Sequence, residues 1–388
     1  MESANMKIVV YAIAKNEEKH VDRFMDSVSP EADAVYVLDT GSTDKTVEML
    51  KDRGAIVVQK EITPWRFDVA RNESLSIVPE DVDVCVCIDL DEIIKPGWRA
   101  SIEKVWKDGT TSLHYQYIWS HNPDGTSAVI FWISKIHSRK NIHWIHPVHE
   151  IIECYDVEQK VIKCDDIEVH HYPDQTKSRS SYLPLLELAV EEDPDNDRNS
   201  HYLGREYMLY GKFEEAIVEL KRHLQLKSAT WDVERAASMR FICRCYGKLG
   251  KWHEARTWAL RACAETPFER EPWWDLANVA HATKDFRTAY YAATQALSNG
   301  KQGERYIADP TAWSYGPYDY ASIGAHFIGF KEDAVKYAKA ALNVALKHKE
   351  SEEILSRIKK NLAYFEKLLS QKDGALDVSP ASLKDVSA

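Results

Sequence analysis

The chain is 388 residues long, with 44% hydrophobic residues and a formal net charge of −11. That length exceeds what one hydrophobic core serves, so two domains are expected, each with the apolar content of a globular protein. The acidic balance argues against general nucleic-acid binding, which needs a basic surface to displace counterions from phosphates.

The first half alternates short apolar runs with amphipathic stretches. Ile8–Ile13, Val35–Leu38, Ala55–Val58 and Val82–Ile88 read as strands, and Glu17–Val28, Asp44–Arg53 and Asp68–Ile77 as helices between them. Strand and helix in alternation at this spacing predict a mainly parallel, Rossmann-like sheet with right-handed crossovers. Ser112–Trp119, Ala128–Ser138 and Val148–Tyr155 follow as longer, aromatic-rich strands expected to pair antiparallel.

The fourth strand runs into Asp89-Leu90-Asp91-Glu92. Such a strand places acids at the carboxyl edge of the sheet, where open α/β folds bind ligands. Adjacent carboxylates such as Asp91 and Glu92 cannot share a face of an ideal strand, so a turn is expected there. Their mutual repulsion is relieved by a hard divalent cation, which points to metal-assisted handling of phosphates. A strand-to-helix turn carrying solvated acids is the plainer alternative.

From about residue 178 the pattern is helical. Four segments align on Ala216, Ala255, Ala289 and Ala334, with Gly211, Gly250, Lys284 and Gly329 five residues earlier. His223, Ala262, Ala296 and Ala341 stand seven residues later. Small residues at fixed places let paired helices approach closely, as in a tetratricopeptide repeat, and stacked pairs bury a shared core. Residues beyond 370 are polar and expected to be disordered. The division expected is 1–176, 177–370 and a tail of 371–388.

Four motifs stand in order across residues 8–92: Ala14-Lys15-Asn16-Glu17, Asp39-Thr40-Gly41-Ser42-Thr43-Asp44, Ala70-Arg71-Asn72 and Asp89-Leu90-Asp91-Glu92. Together they resemble family-2 glycosyltransferases with a GT-A fold. Val148-His149-Glu150, His170-His171-Tyr172 and the repeats are similar to a subgroup that includes enzymes glycosylating bacteriocin peptides. The resemblance implies a metal-dependent, inverting transfer from a nucleoside-diphosphate sugar, with UDP as the expected nucleotide and Mn2+ or Mg2+ as the cation. Ala14, Asn16, Glu17, Asp39, Arg71, Asp89 and Leu90 would then contact the donor. Asp39 would meet uracil or ribose, Arg71 the diphosphate and Asp89 the ribose. Asp91 would hold the metal, with His149 and His171 as further ligands; the doubled histidine leaves His170 open beside them. Glu92 would orient Asp91 or hold a metal-bound water.

Glu150 is the candidate general base, with Asp124 as rival, although Asp124-Gly125 reads as a hairpin turn. Asp39 has an alternative role in capping the Gly41 turn, and Arg71 one in a surface ion pair with Asp68 or Glu73. Trp65 and Trp144 are candidates for stacking on sugar. The acceptor, recruited by the repeats, is a peptide, protein or glycan, and oligomerisation stays open. The alternative function is a repeat-based adaptor whose GT-A domain binds nucleotide without turnover. Seven cysteines in spacings that suit neither zinc pairs nor a disulfide framework predict reduced thiols. With no signal-peptide pattern and no bilayer-length apolar run, the expectation is a cytoplasmic protein without membrane insertion.

Overall fold

The computed structural model describes residues 6–174 and 180–371. The expected boundary at 176/177 and, apart from Gln371, the expected tail lie outside them. The chain divides into two compact units, one built mainly from residues 1–120 and 127–192, the other mainly from 193–303 and 307–388.

The first unit is an α/β layer structure. Strands β1 (Ile8–Ala14), β2 (Ala34–Asp39), β3 (Ile56–Gln59) and β4 (Val84–Cys87) alternate with helices α1 (Val21–Val28), α2 (Thr46–Asp52) and α3 (Phe67–Ser76). β1 pairs in parallel with both β2 and β4, and β2 with β3. β4 is buried throughout, as a central strand covered on both faces must be. Helix α1 begins at Val21, four residues later than expected. Asn16 takes a positive φ of 55°, so the loop after β1 makes one more turn before the helix can start.

Beyond β4 come β5 (Glu92–Ile94), α4 (Trp98–Val105), β6 (Ser112–His121), β7 (Ser127–Ser138), β8 (Ile142–Ile145), β9 (Ile151–Cys154) and β10 (Val161–His171). The eight-stranded sheet has the order β3-β2-β1-β4-β7-β6-β10-β5. β7 pairs antiparallel with β4, as expected of the aromatic strands. β9 also pairs antiparallel, but it is shorter than expected and pairs with β8 in a separate two-stranded ribbon. β5 and β10 carry no clean alternation in the sequence, yet they close the sheet. β10 runs parallel to β6 and antiparallel to β5, placing His171 opposite Glu92.

The first unit ends in α5 (Tyr182–Glu192). In the second unit α6 (Asp197–Leu209) and α7 (Phe213–His223), α8 (Asp232–Lys248) and α9 (Trp252–Glu265), α10 (Arg270–Ala282) and α11 (Phe286–Ser298), and α12 (Gly316–Phe327) and α13 (Lys331–Lys347) are successive hairpins. Helix α14 (Glu352–Ser370) packs on α13. The turn inside each hairpin carries a residue of positive φ, at Gly211, Gly250, Lys284 and Gly329. The anchors Ala216, Ala255, Ala289 and Ala334 are all buried, because a methyl group is what the helix crossing leaves room for. This is the stacked helix-pair architecture of tetratricopeptide repeats.

Candidate active site

The acids of the fourth strand meet the ends of α3, β7 and β10. After Cys87 the chain leaves β4 and turns at Leu90 and Asp91 before entering β5. Glu92 fastens this turn: its Oε2 accepts from the Asp89 amide at 2.9 Å, and its Oε1 from the Tyr117 hydroxyl at 2.6 Å. Glu92 therefore braces the loop rather than orienting Asp91. Leu90 puts its side chain into the sheet's core, which leaves only its backbone for a ligand.

Arg71 is 3% exposed and reaches up from α3. Its Nη1 and Nη2 donate to the two Asp89 oxygens at 2.5 and 2.8 Å, and its Nε donates to Glu150 Oε1 at 2.9 Å. One guanidinium thus joins the two carboxylates that the sequence reading assigned to ribose and to acceptor. The surface pairing with Asp68 or Glu73 does not occur, since Arg66 takes Asp68 and Lys60 takes Glu73. The other residues of that motif are structural. Ala70 is fully buried, and the Asn72 amide accepts from Trp144 N and donates to Trp144 O, both at 2.8 Å, locking α3 to β8.

Lys135 on β7 was not singled out from the sequence. Its Nζ lies 3.0 Å from Asp89 Oδ2 and 3.3 Å from Glu92 Oε1. A lone lysine inside an apolar strand, Ile133-Ser134-Lys135-Ile136, was the available signal. Burial pushes the Asp89 carboxyl up, but Arg71 and Lys135 outweigh it and hold it well below the usual carboxylate range. Burial pushes the Glu92 carboxyl up and Lys135 only partly offsets this. Three carboxyl groups, on Asp89, Glu92 and Glu150, meet two fixed cations, Arg71 and Lys135, and Asp91 adds a fourth acid paired with His171.

His171 ends β10 beside Asp91. Its Nδ1 faces the Trp119 carbonyl at 3.2 Å and its Nε2 lies 3.3 Å from Asp91 Oδ2. Burial lowers the His171 pKa, but pairing with Asp91 outweighs it and raises it, so the protonated ring is favoured here. Once Nε2 loses its proton, Nδ1–H on a carbonyl is the usual outer-shell arrangement of a metal-binding histidine. Trp119 stacks on the ring at 4.3 Å between centroids and is itself 42% exposed. His170 points to the other face of the strand, toward Glu168 at 3.4 Å. His149 packs its ring on Tyr182, and among the described residues no group of three ligand atoms joins it to Asp91 and His171.

Asp39 is fully buried and accepts from Ser42 N, Gly41 N and Gln59 Nε2 at 3.2–3.3 Å, so it caps the Gly41 turn. The first loop is tied to the same turn: Asn16 N donates to Ser42 Oγ, Thr43 N to Asn16 Oδ1, and Glu17 N to Thr46 Oγ1. Ala14, at the end of β1, accepts from the Thr40 amide. Trp144 is 2% exposed and donates through Nε1 to the Tyr11 hydroxyl, which removes it from sugar stacking. Trp65 packs edge-on against Phe67. Asp124 holds the hairpin turn through the Thr126 amide and hydroxyl.

A parallel sheet with crossed helices, an acidic turn at its carboxyl edge and an antiparallel extension define a GT-A type of domain. Residues 9–154 match the model of Glycosyl transferase family 2, so this segment is a family 2 glycosyltransferase domain. An uncharacterized glycosyltransferase of Rickettsia bellii (strain RML369-C) is 32% identical over 111 residues, covering 29% of this chain and 36% of that protein. The SPbeta prophage-derived glycosyltransferase SunS of Bacillus subtilis (strain 168) is 25% identical over 231 residues, 56% of this chain and 52% of that one. The chain thus spans at most about half the length of either relative. Among solved structures, YrrB, a TPR protein, aligns with a TM-score of 0.38 and 12% identity, covering 48% of this chain and 85% of its own.

Proposed function

We propose that this protein transfers a sugar from a nucleoside-diphosphate sugar, with UDP as the nucleotide, to a peptide, protein or glycan acceptor. The observation that carries the reading is the Asp91–His171 pair, an oxygen and an imidazole nitrogen 3.3 Å apart at the ligand-binding edge of the sheet. A carboxylate with one imidazole suits Mn2+ better than Mg2+, which prefers oxygen ligands throughout, and the excess of carboxylates around it favours a dication. When bound, such an ion neutralises charge on the departing diphosphate.

The chain's own residues supply the rest. The acceptor hydroxyl attacks the anomeric carbon, the bond from that carbon to the diphosphate oxygen breaks, and the hydroxyl proton passes to a carboxylate, for which Glu150 is the candidate. Arg71 holds Glu150 in register with Asp89, and exchange of Arg71 from these acids to the diphosphate would release Glu150 for the proton. Trp119, exposed beside His171, offers a face for sugar in place of Trp144.

Incubation with UDP-sugars and Mn2+, followed by assay of free UDP, tests this. Asp91→Ala is expected to cut release by about 100-fold or more, and EDTA to do the same to the wild-type chain. Full turnover in chelator would remove the metal role of Asp91. One observation favours a second reading, an adaptor that binds nucleotide without turnover: all three Arg71 nitrogens are spent on protein carboxylates. Absence of UDP release above the Asp91→Ala background with every donor would establish that reading.

A further inference from the structure

The helical unit contains a buried polar cluster that glycosyl transfer does not use. His201 lies on α6, His223 closes α7, and Glu234 and Ser238 lie on the first turns of α8. Both imidazoles and the serine are fully buried, and Glu234 is 4% exposed. One nitrogen of each ring and one Glu234 oxygen all lie within 4.8 Å of one another. Ser238 Oγ bridges the rings, 2.8 Å from His201 Nδ1 and 3.0 Å from His223 Nδ1. His223 turns its Nε2 toward Glu234 Oε1 at 3.3 Å, without hydrogen-bond geometry. Two donor atoms bound to one tetrahedral ion at about 2.0–2.1 Å stand roughly 3.3 Å apart.

The repeat pattern supplies an independent reason to single out His223. The equivalent place in the other hairpins is Ala262, Ala296 or Ala341, each fully buried where two helices meet. An imidazole there takes up space that the crossing elsewhere gives to a methyl group, and its buried nitrogens must be satisfied. At His223 the departure from alanine coincides with a group of metal-ligating atoms from three helices.

We propose that His201, His223 and Glu234 bind one divalent transition-metal ion of the zinc type, with Ser238 orienting both rings. Two imidazoles and a carboxylate suit zinc, and Ser238 Oγ can accept from both Nδ1–H groups, the outer-shell role that fixes such rings. The ion joins α6, α7 and α8, and so fastens the first hairpin of the unit to the second. Enclosure by protein means that it loads during folding and resists exchange afterwards. The rival arrangement is a protonated His223 paired with Glu234, which needs no metal.

The test uses the full chain from zinc-supplemented medium, dialysed against chelator and analysed for metal. Asp91→Ala serves as background, so that cation held at the glycosyltransferase site does not contribute and failure of that site leaves this result unaffected. About one zinc per chain is expected in that background, falling below about a tenth when His223→Ala or His223→Gln is added. Alanine is what the repeat takes elsewhere, and glutamine keeps a polar side chain, so one of the two retains the fold by circular dichroism. The metal-loaded chain should also melt higher than chain grown without zinc, a difference that the His223 variants lose. Metal below a tenth of an equivalent in the Asp91→Ala background, or unchanged content in a folded His223 variant, overturns the proposal.

Discussion

Lys135 is the residue on which the acidic corner of the first unit depends most directly. It shares a wall with Arg71, and its Nζ contacts two of the four carboxyl groups gathered there. Removing one partner of a buried ion pair leaves the other charge desolvated without compensation. Lys135→Met should therefore destabilise the first unit by roughly 3–5 kcal/mol in urea unfolding. Adding Glu92→Gln should recover part of the loss, because Glu92 then no longer brings a charge into the corner. Strictly additive effects of the two substitutions would show that the contact carries no coupling energy.

Among the elements, the hairpins of the helical unit show how a repeat tolerates variation. The turns need a left-handed residue, which glycine adopts freely and which costs an L-residue about 1–2 kcal/mol. Three turns use glycine, whereas Lys284 adopts φ of 60° in the remaining one, between α10 and α11. Lys284→Gly should stabilise the unit by roughly 0.5–1 kcal/mol, read as a shifted urea midpoint. Gly204 has the opposite constraint. A Cβ there would stand 2.5 Å from Leu220 Cγ across the α6–α7 contact. Gly204→Ala should cost about 1–3 kcal/mol, through overpacking rather than backbone strain. A variant as stable as wild type would mean that Leu220 repacks without penalty.

At the scale of the molecule, each unit has a polar network as well as an apolar core. In the helical unit Asp309 accepts from Arg240 and Arg244, which also hold Asp275. Burial pushes the Asp309 carboxyl up, but Arg244 and Arg240 outweigh it and hold it well below its ordinary value of 3.8. A carboxyl depressed on folding stabilises above its unfolded pKa, and that contribution is lost as pH falls toward the folded value. Stability should decline between about pH 4 and 2, and Asp309→Asn should flatten the decline while lowering stability at neutral pH. Parallel curves for the two chains through that window would show that Asp309 does not contribute to acid unfolding. Among the described residues no helix is long and apolar enough to cross a membrane.

The parallel strands, the acidic turn and the hairpin anchors were legible in the sequence, because each rests on local periodicity: two residues for a strand, 3.6 for a helix, and a fixed spacing of small residues for a repeat. β5 and β10 were not, since their pairing is set by partners at distant positions in the chain. The same holds for the candidate site. Motif order brought out Asp89, Asp91, Arg71 and Glu150, but only the tertiary structure joined Arg71 to both Asp89 and Glu150. It also chose His171 rather than His170 to face Asp91, because alternate residues of β10 point to opposite sides. Lys135, His201 and Glu234 lay outside any motif and His223 stood in the repeat template only as its odd residue; their grouping exists only where separate elements converge. Composition and spacing thus determined which secondary structures form and in what order; contact between residues far apart in sequence decided which charges meet, because electrostatic and hydrogen-bonding partners are selected by distance in space.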